Sequence, residues 1–385
     1  MVGRQTRRAV IVGAGIAGLA GAVALSRFGW EVTLVERAPG LRGGAYVVGF
    51  SGLGYDAAEQ LGLTEEIHLK SSPWTDVKQV DSDGDVIAQM PVRLQQALVG
   101  KRIVSILRGE LERILHRAVE NCAEIRFGRT IADFEDCSGE LAVALDDGSV
   151  IHCDLLLGAD GLHSDVRRLA FGPEYRYRYD FNASVISFNV DHPPDQVRDQ
   201  TTLLSLKGRG AGIYPQHDGG MSAFFTFSDD RQSLSRDDPC SSLFAAYGDL
   251  RWVWPELISQ VENNNSVFFD KICQIRMTDW TRGRVALLGD AAWSVSLLAG
   301  AGASLAVGGA YRLAILLESE PDVSSALSRW NGDLRSHVRL KQWQGRLSRQ
   351  LFIPTSGFSV SCRHAGMRLA EKIPVHERRL CRPHG

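Results

Sequence analysis

One stretch near the start limits the fold more than any other. Ala9-Val-Ile-Val12 is a short apolar run of the kind that forms a buried parallel strand, and a helical pattern runs from Leu19 to Phe28. Between them lies the turn Gly13-Ala-Gly15-Ile-Ala17-Gly18. Gly13 permits the tight turn, Gly15 lets backbone approach a pyrophosphate, and Gly18 lets helix and strand pack closely. Phosphates then meet the positive end of a helix. A second apolar strand, Glu31-Val-Thr-Leu-Val35, ends in Glu36, an acid placed to bond the ribose hydroxyls of an adenosine. Arg37, next along, is positioned to lie against an adenine. Strand, turn, helix and acid agree on a dinucleotide-binding βαβ unit.

Two further segments suit other parts of the same ligand. Asp154-Leu-Leu-Leu157 reads as a buried strand that delivers Gly158-Ala-Asp160-Gly161 at its end. Asp160 serves equally well as an N-cap for a helix over 164–169. Later, Val285-Ala-Leu-Leu288 reads as a strand leading into Gly289-Asp290-Ala-Ala, whose carboxylate is placed to accept hydrogen bonds from sugar hydroxyls. Gly300-Ala-Gly302-Ala303-Ser304 then opens a helix whose free N–H groups and dipole suit negative charge on a reduced flavin ring. In this order, the three segments point to FAD.

The rest of the chain sets limits. Its 385 residues suffice for two domains or one large domain with insertions, and 44% hydrophobic content suits a large core. A formal charge of −2 gives no electrostatic case for a nucleic-acid partner. Cys122, Cys137, Cys153, Cys240, Cys273, Cys362 and Cys381 are scattered without a Cys-x-x-Cys pair, which reads as reduced cytoplasmic thiols and no metal site. The leading segment Gly3–Arg8 runs straight into the first strand, with no signal peptide. Asn182-Ala-Ser and Asn264-Asn-Ser fit the glycosylation pattern without meaning in such a setting. Residues 291–311 carry no charge, but five glycines, Ser294, Ser296 and Ser304 make them a loop and buried helix, not an integral membrane segment.

The expected architecture is α/β: a Rossmann-like FAD-binding domain with an inserted mixed β-sheet substrate domain and C-terminal helices. The nucleotide domain takes 1–72, 99–174 and 268–335, and the sheet takes 73–98 and 175–267. The segment 336–385 is basic and helical, broken at Phe352-Ile-Pro-Thr-Ser-Gly357, and suits a cavity cap or a dimer contact. Gly208-Arg-Gly-Ala-Gly212 precedes strand-like residues and reads as a turn, so only one dinucleotide fingerprint is present.

These residues resemble the single-component, class A FAD-dependent monooxygenases related to para-hydroxybenzoate hydroxylase, and more narrowly a divergent bacterial branch. The resemblance rests on the opening turn, on Asp160-Gly161-Leu-His-Ser164-Asp-Val-Arg167 and on Gly289-Asp290-Ala-Ala292, and extends to about residue 335. It implies that Asp290 contacts the ribityl and pyrophosphate part of FAD, that Arg108 lies near the phosphates, and that the Ile131 backbone lies beside the adenine. It also implies NADPH or NADH as a transient co-substrate with no second Rossmann site. Hydride then passes to flavin N5, O2 adds at C4a, and the hydroperoxide hydroxylates or epoxidises a substrate. The pattern departs after Gly289-Asp290. Trp293, Leu297-Leu298, Gly300-Ala-Gly302 and Gly308-Gly309 stand where the family has His, Pro, Gly-Gln-Gly with Asn, and an acidic pair. The lost polar groups make the oxygen-meeting region drier and open an alternative, a redox-neutral FAD-containing cyclase in natural-product biosynthesis.

Substrate contacts are expected from the inserted sheet, at Tyr214, Phe225 and Phe227, with Trp293 from the flavin side; for each, core packing is the competing role. Their apolar cast suggests a hydrophobic, polycyclic, natural-product-like substrate. No side chain stands out as a catalytic acid or base, and His163 beside Asp165 reads as a helix-start residue. The Arg251-Trp252-Val-Trp254-Pro-Glu run lacks the halogenase pattern, and hydrolase, metalloprotease and NTPase motifs are missing. Monomer and homodimer both fit.

Overall fold

A computed structural model describes residues 6–371 apart from 42, 45, 100, 101, 138, 230–237, 265 and 266. Cys381, the last part of the 336–385 segment, the first residues of the leading segment and the end of Asn264-Asn-Ser lie outside the described residues. In chain order the elements are β1 (Arg8–Val12), α1 (Ile16–Arg27), β2 (Glu31–Glu36), β3 (Val47–Ser51), α2 (Leu53–Leu61), α3 (Thr64–Leu69), β4 (Val77–Val80), β5 (Val86–Met90) and α4 (Val92–Val99). Next come β6 (Ile103–Leu107), α5 (Arg108–Val119), β7 (Glu124–Phe127), β8 (Ile131–Asp136), β9 (Leu141–Leu145), β10 (Val150–Cys153), β11 (Leu155–Gly158) and α6 (Asp165–Phe171). The inserted part holds β12 (Arg178–Val190), β13 (Thr201–Leu206), β14 (Arg209–Pro215), β15 (Met221–Ser228), α7 (Pro239–Tyr247), α8 (Trp254–Ser259) and β16 (Phe268–Ile275). The chain closes with β17 (Thr281–Arg282), β18 (Val285–Leu287), α9 (Asp290–Trp293), α10 (Gly302–Ser319), α11 (Val323–Phe352) and α12 (Gly357–Glu371).

Two large sheets organise the molecule. The first runs β17-β18-β11-β1-β2-β7 and is parallel except for β17. Its apolar strands are buried on both faces, as a sheet covered on both sides requires. The second runs β16-β12-β15-β14-β13-β4-β5 and is antiparallel except where β13 meets β4. One face of it is sealed by α7 and α8 through Phe188, Phe225, Tyr247 and Trp254. A three-stranded sheet (β8–β10) and the β3–β6 pair complete the set.

The strand β16 pairs with β12 and so belongs to the second sheet, which moves its residues out of the nucleotide-binding segment expected to start at 268. The expected boundary at 335 also falls inside α11, a single helix. Helix α4 stands where strand alternation was expected to continue to 98, and α7 and α8 were not foreseen. The Gly208 turn joins β13 to β14 with φ at 78°. Among the described residues, no helix is long and apolar enough to cross a membrane, and no His, Cys, Asp and Glu group is arranged for a metal.

Helices α2 and α10 lie in close contact because both carry glycine at the crossing. A Cβ on Gly54 would sit 2.5 Å from the Ser304 Cα, and one on Gly308 would sit 2.7 Å from the Leu53 Cβ. The two nearest Gly54 neighbours are backbone atoms of Ser304, which cannot swing away. Gly54→Ala is expected to cost roughly 1–3 kcal/mol, read as a drop of several degrees in thermal unfolding. An unchanged midpoint would mean that α2 shifts freely on α10.

Candidate FAD site

The site begins with strand register. Val12 stands beside Gly158 and Val35, and Gly158 beside Leu287, so β1, β2, β11 and β18 end at the same edge of the sheet. In open α/β sheets that edge is where ligands bind. The three sequence segments leave from it and touch one another. A Cβ on Gly13 (φ 103°) would lie 2.5 Å from the Ala159 carbonyl oxygen, and one on Gly18 would lie 1.8 Å from that of Gly13. A Cβ on Gly289 would come within 2.7 Å of the Ala17 Cβ. Each contact forbids a side chain, and together they bring the opening turn against both later segments.

Gly15 and Ala17 remain partly accessible at the start of α1. No side chain caps this helix and no acid stands in its first turn, which leaves its N–H groups open to an anion. Glu36 accepts hydrogen bonds from the N–H of Ala14 (2.8 Å) and of Ala38 (2.7 Å), so in this structure it braces the turn. Arg37 beside it is exposed. Ile131 opens β8 with its side chain in the main core.

Arg108, at the start of α5, reaches across to the same edge. It donates to the Gly43 carbonyl (3.2 Å) and to Glu112 (3.1 Å), and its stem packs on Gly44. A Cβ on Gly15 would lie 3.6 Å from an Arg108 Nη. Burial opposes the Arg108 charge, but Tyr46, Glu112 and Asp290 nearby outweigh it and hold the guanidinium above its ordinary pKa. A cleft of about 230 Å³ lined by Leu41, Gly43, Gly109, Glu112 and Arg113 runs alongside.

Asp290 opens α9. The residue is open to solvent at the sheet edge; the surrounding protein raises the carboxyl pKa, while Arg108 and a hydrogen bond with Ser294 lower it. A Cβ on Gly302 would sit 3.9 Å from Asp290 Oδ1. Gly302 and Ala303 are partly accessible at the start of α10, another helix with neither a side-chain cap nor an acid in its first turn. Ser304 ties α10 to β3, accepting from the Ser51 N–H at 3.0 Å and donating to the Gly49 carbonyl at 3.3 Å.

Asp160 takes the helix-capping position expected of it. It lies on the cofactor edge, yet its oxygens accept from Ser164 Oγ (2.5 Å) and from the N–H groups of Asp165 (2.7 Å) and Val166 (3.1 Å). Here it caps α6, and burial raises its pKa. Arg167, fully buried, donates to the carbonyls of Ala291 (3.0 Å) and Leu162 (2.6 Å) and to Glu174 (3.0 Å). It fastens the middle segment to the late one, a role no local sequence signal revealed. His163 pairs with Glu174 at 3.0 Å on the surface, as a helix-start residue would.

The expected substrate contacts need correction. Phe225 and Phe227 point to the sealed face of the second sheet, where Phe225 packs edge-on to Tyr247 (5.1 Å) and Trp254 (6.1 Å). Trp293 is buried with Trp280 and Trp330, at ring separations of 4.9 and 5.5 Å. All three are core residues. The face that looks toward the cofactor edge is one residue out of phase. Phe268, Ser187 and Phe224 stand side by side on β16, β12 and β15, and Tyr214 stacks on Phe224 at 5.3 Å. Tyr46 links this row to the cofactor edge, with its ring 4.9 Å from Phe268 and its hydroxyl under the influence of Arg108 and Asp290. Asp270 on β16 influences both Tyr46 and Asp290. Tyr46, Phe224, Phe268 and Asp270 escaped the sequence reading, because the alternation on β15 fits either phase.

The family model of the FAD binding domain matches residues 6–320. A flavin-dependent monooxygenase of an unknown prokaryotic organism is 29% identical over 342 residues, covering 88% of this chain and 88% of that protein. An uncharacterised protein of Mycobacterium tuberculosis is 30% identical over 340 residues, covering 87% and 91%. The crystal structure of the tetracycline destructase Tet(55) superposes with a TM-score of 0.79 at 27% identity, over 95% of this chain and 96% of that one. The chain therefore belongs to the class A flavin monooxygenase family and is an FAD-dependent oxidoreductase.

Proposed function

We propose that this enzyme hydroxylates or epoxidises a hydrophobic, polycyclic, natural-product-like substrate, using NADPH or NADH and O2. The observation that carries the reading is the meeting of the Arg108–Asp290 edge with the aromatic row Tyr46, Phe268, Phe224 and Tyr214. A planar apolar molecule laid along that row would lie against the cofactor edge. The superposition with a tetracycline destructase, a protein named for a polycyclic compound, supports the substrate class. The relatives named monooxygenases weigh against a redox-neutral cyclase. The single dinucleotide fingerprint supports a nicotinamide that visits without a second Rossmann site. The described cysteines are all free, which supports a reducing, cytoplasmic setting.

The residues would divide the work as follows. The open N–H groups at Gly15, Ala17 and Gly18 receive the pyrophosphate, Gly13 sets the turn, and Arg108 offsets the phosphate charge. Glu36 and Arg37 would meet the adenosine, with the Ile131 backbone beside the adenine and Asp160 at the edge near the flavin. Asp290 would accept from the ribityl hydroxyls, and the start of α10 at Gly302 and Ala303 would favour negative charge on a reduced ring. Bound FAD would supply the hydride-accepting and O2-activating chemistry. The aromatic row orients the substrate and excludes water. Burial pushes the Tyr46 hydroxyl up to about 12, so it stays protonated and able to donate a hydrogen bond at any physiological pH.

An anaerobic NADPH titration of the purified holoenzyme tests the reading. Bleaching of the flavin band, reversed by air, is expected. A flavin that dithionite reduces but NADPH and NADH leave oxidised, with substrate-like polycyclic phenols present, would overturn it in favour of the cyclase. The assigned cofactor residues are tested separately. Arg108→Ala and Asp290→Ala are each expected to weaken FAD retention by about tenfold or more, or ~1.4 kcal/mol, with far-ultraviolet circular dichroism unchanged. Retention equal to wild type in both would remove those residues from the site.

A further inference from the structure

Helix α11 has a second apolar face. Leu334, Val338 and Gly345 are buried against the body of the protein. On the opposite side, Leu340, Trp343, Leu347 and Leu351 are 51%, 50%, 53% and 53% exposed. At 100° per residue these four side chains form one continuous stripe along the outer surface. Phe358 and Leu369 of α12 are exposed as well, at 79% and 67%. Single exposed leucines need no explanation, but a stripe of this kind does.

The charge around the stripe says what would cover it. The whole chain is nearly neutral, yet no Asp or Glu occurs between Leu334 and Ala370. That stretch instead carries Arg335, Arg339, Lys341, Arg346, Arg349, Arg363 and Arg368. Arg335 is paired with Asp279, whereas Arg339, Lys341, Arg346 and Arg349 make no ion pair among the described residues. A second copy docked on the stripe around a two-fold axis would set these cations against their own equivalents, which opposes association. A nucleic acid would satisfy the cations but leave the leucines and Trp343 in water. An anionic bilayer surface satisfies both: apolar side chains enter the boundary between headgroups and acyl chains, and cations meet the lipid phosphates.

We propose that the outer face of α11, with the exposed end of α12, docks peripherally on membranes containing anionic phospholipid. The same helices adjoin the substrate sheet. The Phe352 carbonyl of α11 sits where a Cβ on Gly210 would be, 2.3 Å away, and Arg363 of α12 bonds Ser205. A docked enzyme would thus hold its aromatic row near the bilayer. That last point rests on the proposed hydrophobic substrate, whereas the docking itself does not.

The test is sedimentation of the full-length holoenzyme with vesicles of phosphatidylcholine alone and of phosphatidylcholine with phosphatidylglycerol. Binding is expected only to the anionic vesicles, and it should fall as salt rises from ~50 to ~500 mM. Arg339→Gln with Arg346→Gln should weaken binding by roughly fivefold per cation. Leu340→Ser with Leu347→Ser should weaken it by about tenfold or more. All four positions lie on the surface, so flavin content and thermal midpoint should match wild type. Absence of binding to anionic vesicles, equal binding to both vesicle types, or full binding by either variant would overturn the proposal. So would a wild-type dimer in solution that the leucine variant dissociates, which would assign the stripe to a second copy. Vesicle binding that persists in an enzyme inert to NADPH would leave docking intact while removing the monooxygenase reading.

Discussion

Everything at the cofactor edge depends on the contact between the Gly13 turn and the ends of β11 and β18. Four parallel strands finish in register, so the loops that leave them must share a small volume. They do so because Gly13, Gly18 and Gly289 present no side chain where backbone or Ala17 already stands. A methyl group at any of them would push the segments apart. The open start of α1 would then lose its place beside Asp290 and Arg108.

Buried charge makes that arrangement definite. Arg167 has no exposure and donates from its two Nη groups to two carbonyls and one carboxylate, which fixes α6 and α9 relative to each other. A buried guanidinium contributes little net stability, but losing any of its partners would leave an uncompensated charge, so alternative packings are costly. Arg108 acts similarly at the other wall, held by Glu112 and the Gly43 carbonyl yet close enough to Asp290 to bias its protonation. The sheet edge therefore brings a cation and an acid within electrostatic reach of each other, beside two helix starts without side-chain caps.

The second sheet divides its faces by the two-residue period of its strands. Ile186, Phe225 and Phe269 fill the core under α7 and α8, and their neighbours Ser187, Phe224 and Phe268 lie on the other face, where Phe268 meets Tyr46. Position within the sheet is all that separates the two sets. The C-terminal helices add a further asymmetry, since α11 buries one apolar stripe and exposes another, and from Leu334 to Ala370 every Asp, Glu, Lys or Arg position is Lys or Arg.

Strand, turn and acid at 9–36, the helix after Arg108, the strands through 158 and the Gly289-Asp290 turn were all legible in the sequence. Each is specified locally, by apolar runs, by glycines where only glycine fits, and by an acid at a strand end. The family follows from those same residues. What the sequence left open are the facts that depend on partners far along the chain. These are the pairing of β16 with β12, the bond from Arg167 to Ala291, the meeting of Tyr46 with Phe268, and the phase of β15. The aromatic pair Phe224-Phe225 illustrates the reason: two adjacent identical side chains carry the same local information. Which of them enters the core was decided only when α7 and α8 closed over one side of the sheet.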